Sequence, residues 1–481
     1  MDLLDDEARY RVNVFDWHSA FPEVFKQGGF DCVVGNPPYV RQESIKEMKV
    51  YLSRTYEGAS NTADLYAYFL EKAVRLLRDR GIASYVVSSS FLKAAFATSL
   101  RHTLKKHAAV VQLTDFGGLP VFESAKDTYV CIPVFRRISQ PERIRIRRIA
   151  TLEPTERSEQ LAAPGYDIPH ERFGDDEWAI RTNVENALFT RLCSEYPSLG
   201  VTLTTLNYGV KTGLNECFQL SPSQVQALVN SIDQDTASFI KRIYGGQETR
   251  RYAFSDVEDY LIVIPAGWTR KHLSAVPTEA SGWAAFSNRN PALAAHLLSF
   301  RSAAQNRQDQ GDFWWELRPC DYYQVFESPK VVFPDICKGP RFHFDTTGAY
   351  ILNTAYAIGS ADKCLLGFLN SKLFWFLISH ISIPFGVRAG EFRYRLIYQY
   401  MAKVPIRPID FTNKLDVEKH DRIVTLVDRM LELVRKRRAE ANPQATTQLD
   451  AQLAATDRQI DRLVYDLYGL TDEEIALVEG A

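Results

Sequence analysis

The stretch Phe30-Asp31-Cys32-Val33-Val34-Gly35-Asn36-Pro37-Pro38-Tyr39 constrains this chain more than any other. A short apolar run with β-branched residues predicts the tip of a buried strand. Gly35 and two successive prolines then end it, because proline fixes φ and brings no N–H to a ladder. An amide side chain, Asn36, and an aromatic ring, Tyr39, are thereby held on a stiff turn. In open α/β sheets the carboxyl ends of strands are where ligands lie, and Asn36 falls at such an end.

The surroundings predict the sheet that would hold the turn. Val12, Val14 and Phe15 suggest a strand near the start. In Asp64–Arg80, Leu65, Phe69, Ala73, Leu76 and Leu77 share one face, and Gly81 follows as a stop, which predicts a helix. Strands are expected at 82–88, 110–116 and 128–137, with a helix through 91–107. This alternation argues an α/β layer with a mainly parallel sheet. At 481 residues the chain exceeds one ordinary core. We place an α/β unit at 1–140, a proline-containing linker at 141–184, an α+β domain at 185–412 and a helical region at 413–481. Arg143–Arg148 alternates with period two, which suits either a charge-guarded edge strand or a phosphate contact. In the last region Ile423, Leu426, Val427, Met430, Leu433 and Val434 form one stripe. Leu449, Leu453, Ile460, Leu463, Val464 and Leu467 form another, and Ala441-Asn442-Pro443 divides the two into a helical hairpin. Thr471 to Glu474 reads as a capping box for a short last helix.

Charge and cysteine usage narrow the class. The 57 basic and 59 acidic residues nearly cancel, so any nucleic-acid surface must be a local patch. Seven scattered cysteines without a Cys-x-x-Cys pair suit a reducing compartment and supply no zinc site. No secretory leader opens the sequence, and no apolar run approaches the roughly 20 residues of a membrane span. The richest, Cys364–Ile383, contains Lys372, Asn370 and His380 and reads as a buried helix. A soluble cytoplasmic protein with no metal and no membrane partner is expected.

Four blocks follow one another: Phe30–Tyr39, Asp64–Leu77, Gly81–Leu92 and Asp115–Val130. In that order they resemble the adenine-N6 DNA methyltransferases of the gamma arrangement, the TaqI-like enzymes and the fused type IIG restriction–modification proteins. The resemblance implies a partial Rossmann-like methyltransferase sheet followed by a target-recognition domain. It implies S-adenosyl-L-methionine as cofactor and double-stranded DNA as partner, in a restriction–modification or phage-defence system. An exocyclic amino group is a poor nucleophile until two acceptors take its N–H bonds and aim its lone pair. The resemblance assigns this to the Asn36 side chain and the Pro37 carbonyl, in a turn where proline adds no competing N–H. Tyr39 stacks on the flipped base, with Phe122 as the second aromatic, returning about 1–3 kcal/mol of an unstacking cost of a few kcal/mol. Pro38, Leu65 and Phe69, with Asn36, match positions lining the cofactor site; read on their own, Leu65 and Phe69 equally suit helix core. Asn rather than Ser at the first motif position favours adenine over cytosine.

Downstream, Gly209–Asn215, Ser328–Pro334, Leu369–Leu373 and Val464–Thr471 resemble the family's recognition region. Lys211, Lys330, Arg341, Arg388, Arg393 and Arg395 are candidate DNA contacts among aromatics such as Trp314, Trp315 and Tyr394, although each singly also suits a solvated charge. The family's Phe/Pro-x-Gly-x-Gly cofactor turn does not occur before Asn36. Asp115-Phe116-Gly117-Gly118 follows the motif and lacks Gly-x-Gly. No nuclease pattern follows Pro334-Asp335. Two functions therefore stand open: a methyltransferase whose cofactor half comes from an upstream segment or a separate polypeptide, and a DNA-binding specificity module that does not catalyse. Either way the strand edge at 30–34 is expected to be exposed and adhesive.

Overall fold

The computed structural model describes residues 15–122, 129–138, 141–203, 205–229, 237–273, 278–388 and 391–480. Val12 and Val14 lie outside them. The chain divides into two compact units, Met1–Leu188 with Ile383–Arg393, and Phe189–Ser382 with Tyr394–Ala481.

The first unit is built on one sheet of seven strands: β1 Phe30–Gly35, β2 Leu77–Tyr85, β3 Val87–Ser88, β4 Ala109–Asp115, β5 Val130–Arg136, β6 Arg143–Arg148 and β7 Tyr166–Pro169. Their order is β1-β2-β5-β4-β6-β7, with β3 on β5. β1 lies parallel to β2 and β4 parallel to β6, whereas β5 runs antiparallel to β2 and β4, and β7 antiparallel to β6. The sheet is thus mixed, not mainly parallel. β5 is inserted between β2 and β4 in the reverse sense, a placement that strand–helix alternation does not encode. The helices α1 Leu65–Arg75 and α2 Thr98–His107 cover it.

α1 stops short of the predicted Arg80. The Leu76 carbonyl already accepts the Phe30 N–H at 2.8 Å, so that peptide belongs to the sheet. The chain then turns through Arg80, at φ +62°, before β2 pairs with β1 from Ile82 onward. Gly81 therefore serves the strand rather than the helix end: a Cβ there would stand 2.7 Å from the Phe30 carbonyl oxygen. The buried face of α1 is also rotated from the predicted stripe. Tyr66, Ala67, Leu70, Ala73 and Val74 are buried, while Phe69 is 38 % exposed.

Residues 141–184 are not a linker. β6 and β7 extend the sheet, with Ile144, Ile146 and Ile168 buried, and Trp178 is fully buried on Phe173. Nor is β6 an edge. Three of its four arginines are committed within the unit: Arg145 to Asp167, Arg147 to the Ala163 carbonyl and Arg148 to Glu185.

The second unit is α+β. One four-stranded sheet orders Tyr350–Ile351, Ile240–Tyr244, Asp259–Ile262 and Gln219–Leu220; another orders His343–Asp345, Lys330–Pro334, Ala355–Ile358 and Leu206–Tyr208. Phe218, Phe286, Trp314, Trp315 and Phe326 fill the core. Trp314 and Trp315 are therefore packing residues rather than a stacking surface. The apolar run after Cys364 is two helices, α3 Lys363–Leu369 and α4 Lys372–Ile381, bent by 63°. Among the described residues no single helix is long and apolar enough to cross a membrane. The bend is pinned: the Asn370 amide exchanges two hydrogen bonds with the backbone of Phe342, Ser371 caps α4, and Asp461 accepts the Lys372 N–H at 2.9 Å. Asp461 belongs to the expected hairpin, α5 Lys414–Ala439 and α6 Pro443–Leu467, which is followed by the capped α7 Asp472–Glu479. Gly367 of α3 lies close against α5, where a Cβ would meet Ile423 at 2.8 Å.

Two stability predictions arise. Gly81→Ala forces a methyl group onto backbone and should cost about 1–3 kcal/mol in urea unfolding. His343 sits edge-on to Phe254, its ring centroid 4.5 Å away, and burial brings its pKa down from 6.5 to about 4. The folded state therefore refuses a proton that the unfolded chain accepts, and stability should fall as pH drops from 6.5 towards 4. His343→Gln should remove a slope amounting to roughly 3 kcal/mol at most over that window, measured as the difference in unfolding midpoints between the two proteins.

Candidate active site

β1 ends at Gly35, where a Cβ would come within 3.0 Å of the Tyr85 ring. The Gly35 carbonyl accepts the Val86 N–H at 3.1 Å. Four residues on, the Tyr39 hydroxyl donates to the Val86 carbonyl at 2.9 Å. One residue just past the end of β2 thus holds both ends of the Asn36-Pro37-Pro38-Tyr39 turn. Pro37 is buried beneath it, while Asn36 and Pro38 are exposed. Among the described residues the Asn36 amide has no hydrogen-bond partner, so its oxygen is available to a ligand.

Tyr39 is half-buried and meets Phe122 in a tilted edge contact, centroids 5.3 Å apart at 63°. Val86, Leu119, Val121 and Phe122 pack on the buried Phe116, Val130 and Ile149, which gives both rings a common footing. Burial, with a smaller contribution from Cys131, pushes the Tyr39 phenol up to about 12, so it stays a neutral donor. Behind Val86, the Tyr66 hydroxyl, Ser90 Oγ and Ser88 Oγ form a chain at 3.0 and 2.9 Å. The backbone leaving the motif is tied to the start of α1. Val40 accepts the Leu65 N–H at 3.0 Å and Asp64 accepts the Gln42 N–H at 2.9 Å. Those two bonds bring half-buried Leu65 beside the turn, with Phe69 one helical turn on.

Asn36, Pro37, Pro38, Tyr39, Leu65 and Phe122 are therefore gathered at one strand end. Among the described residues no strand pairs with the outer edge of β1, which lies beside them: Cys32 is exposed and Val34 is 72 % exposed. The part played by Val86 was not readable beforehand, because a main-chain donor and acceptor leave no mark in residue identity.

The downstream cations are less uniform. Lys330 is fully buried, its ammonium on Asp345 and on the Phe326 carbonyl at 2.5 Å. Burial lowers its pKa, while Asp345 works the other way. It is a core ion pair and is not placed to meet a phosphate. Arg395 forms a two-pronged pair with Asp335 at 2.7 and 3.2 Å, and half-exposed Lys211 pairs with Asp309 at 3.0 Å. The Arg393 guanidinium lies 5.7 Å from the centre of the Phe385 ring. Arg341 is half-buried and has no ion-pair partner among the described residues. The Arg388 side chain lies outside them. Tyr394 packs edge-on against Trp375, 5.4 Å away.

Residues 2–122 match the Eco57I restriction-modification methylase family, and residues 241–406 match the TaqI-like C-terminal specificity domain. The two matches follow one another along the chain, the methylase model first and the specificity-domain model second. The type II methyltransferase M.BstVI of Geobacillus stearothermophilus is 21 % identical over 97 % of this chain and 77 % of its own length. The type II restriction enzyme and methyltransferase RM.Eco57I of Escherichia coli is 22 % identical over 99 % of this chain. This chain spans only 49 % of that protein. The type II methyltransferase M.XhoI of Xanthomonas vasicola is 26 % identical over 78 % of this chain and 68 % of its own length. Among solved structures, the type IIL restriction–modification enzyme MmeI in complex with DNA shares the fold. Its TM-score is 0.59 at 15 % identity, covering 95 % of this chain and 57 % of that one.

The buried pair gives the prediction for this site. Lys330→Ala leaves Asp345 charged and buried and should destabilise the protein by roughly 3–5 kcal/mol. Under conditions where the variant stays folded, the salt dependence of its DNA binding should match the parent, because no phosphate contact is removed. A shallower salt slope in fluorescence anisotropy would reassign Lys330 to the DNA surface.

Proposed function

We propose that this chain is the motif-bearing half of a DNA adenine-N6 methyltransferase fused to its own sequence-reading domain. The observation that carries the proposal is the Asn36 amide, exposed on a double-proline turn and flanked by the paired rings of Tyr39 and Phe122. A flipped adenine would lie against those rings. Its amino group would donate one N–H to the Asn36 carboxamide oxygen and the other to the Pro37 carbonyl. Both acceptors draw the nitrogen towards tetrahedral geometry and localise its lone pair. Catalysis is then orientation within a fixed polar frame, with no covalent enzyme intermediate. Neutral Tyr39 supplies stacking surface and keeps its hydroxyl on Val86 rather than on the base.

S-adenosyl-L-methionine supplies the electrophilic methyl group when bound. Pro38, Leu65 and exposed Phe69 offer an apolar wall for it beside the motif. The remainder of that site would come from chain lying on the open side of β1, in a longer polypeptide or a separate subunit. A strand added there would also cover Val34. Duplex DNA would be read by the TaqI-like domain, with Lys211, Arg341 and Arg393 as candidate contacts beside Arg388, whose side chain lies outside the described residues.

Asn36→Ala should reduce incorporation of labelled methyl groups into DNA by at least about 1,000-fold, with DNA affinity unchanged. Undiminished transfer would sink the catalytic role. Tyr39→Phe keeps the ring and loses one hydrogen bond, so it should cost less than about tenfold, whereas Tyr39→Ala removes the stacking surface as well. Calorimetric titration with S-adenosyl-L-methionine separates the two open functions. Binding by this chain, or binding gained on adding the complementary half, marks an enzyme. Binding by neither, with DNA affinity intact, marks a specificity module.

A further inference from the structure

The hairpin Pro384–Arg388/Glu391–Arg395 follows α4, yet its residues up to Arg393 belong to the first unit. Phe392 on that hairpin lies over Gly117. A Cβ built on Gly117 would stand 2.9 Å from Phe392 Cζ and 3.2 Å from Cε1. Gly117 is thus held to glycine twice, by this ring and by its own φ of +53°. It opens the turn that runs from the end of β4 to Phe122. The turn is ordered from within: Asp115 Oδ1 accepts the Gly117 N–H at 3.1 Å, Phe116 accepts the Leu119 N–H at 3.0 Å, and Leu119 accepts the Val121 N–H at 2.9 Å. Displacement at Gly117 is therefore passed along a stiff segment to the ring that faces Tyr39.

We infer that Phe392 is a positioning residue for the target-base pocket: it bears on the Asp115–Phe122 turn and so sets where Phe122 stands against Tyr39. The inference rests on the base-flipping reading above and adds a residue that the methylase motifs do not contain. Phe392 does not touch the base. Its hairpin carries Arg393 stacked by Phe385, a cation well suited to a DNA phosphate. Engagement of the duplex at the hairpin would then bear on the pocket through Phe392. The effect belongs to capture of the flipped base rather than to overall DNA affinity.

The test uses a duplex whose target site has been mapped by sequencing methylated adenines in DNA from cells producing the protein. 2-Aminopurine replaces the target adenine for the flipping measurement. Phe392→Ala should lower the 2-aminopurine signal and the single-turnover methylation rate by about tenfold or more, with the DNA dissociation constant within about threefold of the parent. Phe392→Tyr should restore both. Gly117→Ala should be impaired on its own, and Phe392→Ala should cost less in the Gly117→Ala background than in the parent, because the clash has gone while the strain of the positive φ stays. A parental flipping signal and rate in Phe392→Ala would overturn the inference alone. Absence of flipping and transfer in the unmutated protein, alone and with the complementary half added, would overturn the functional reading, and this inference with it.

Discussion

Two prolines in succession leave the Asn36–Tyr39 turn without an N–H at its two central positions. The missing restraint is supplied from the next strand. Val86 donates its N–H to Gly35 and receives the Tyr39 hydroxyl on its carbonyl, so one residue grips the turn before and after the prolines. Everything the site requires depends on that grip. It keeps Asn36 facing outward, turns the Tyr39 ring towards Phe122 and fixes the register in which β1 lies along β2. Parallel pairing matters as well, because it brings the carboxyl ends of β1 and β2 to the same side of the sheet.

The motif, the helix beside it and the C-terminal hairpin were legible because each is specified by local chemistry: proline and glycine stops, a helical period, and caps at Asn442 and Thr471. What was not legible depends on long-range pairing. The reversed β5, the membership of residues 141–184 in the first sheet and the early end of α1 all arise where a strand found a partner far along the chain. Gly81 is instructive. As a residue type it suggested a helix stop, yet its reason is the Phe30 carbonyl, fifty-one residues earlier in sequence. The same holds for Phe69, whose spacing placed it on the covered stripe while packing left it partly bare.

Charge proved the least readable property. Six cations looked equivalent as residue types, and the surroundings of those whose side chains are described set them apart. Lys330 is sealed in the core on Asp345, and Arg395 is clamped by Asp335. The alternating arginines of β6 tie a strand to its neighbours. A buried ammonium–carboxylate pair holds register more than it adds stability, since desolvation offsets most of the attraction. In this chain such pairs brace the scaffold from within.

The junction between α3 and α4 has a consequence for how the molecule is made. Its Lys372 N–H is satisfied by Asp461, and Arg251, which donates to the Asn370 carbonyl at 2.5 Å, is paired with Asp457. Both carboxylates leave the ribosome some ninety residues after the junction itself. The first unit likewise waits for Ile383–Arg393, about 200 residues behind Leu188, or roughly 10–40 s of synthesis at 5–20 residues per second. The first unit therefore gains its last segment only after most of the second unit has emerged, although the buried core between Ile45 and Trp178 is complete long before.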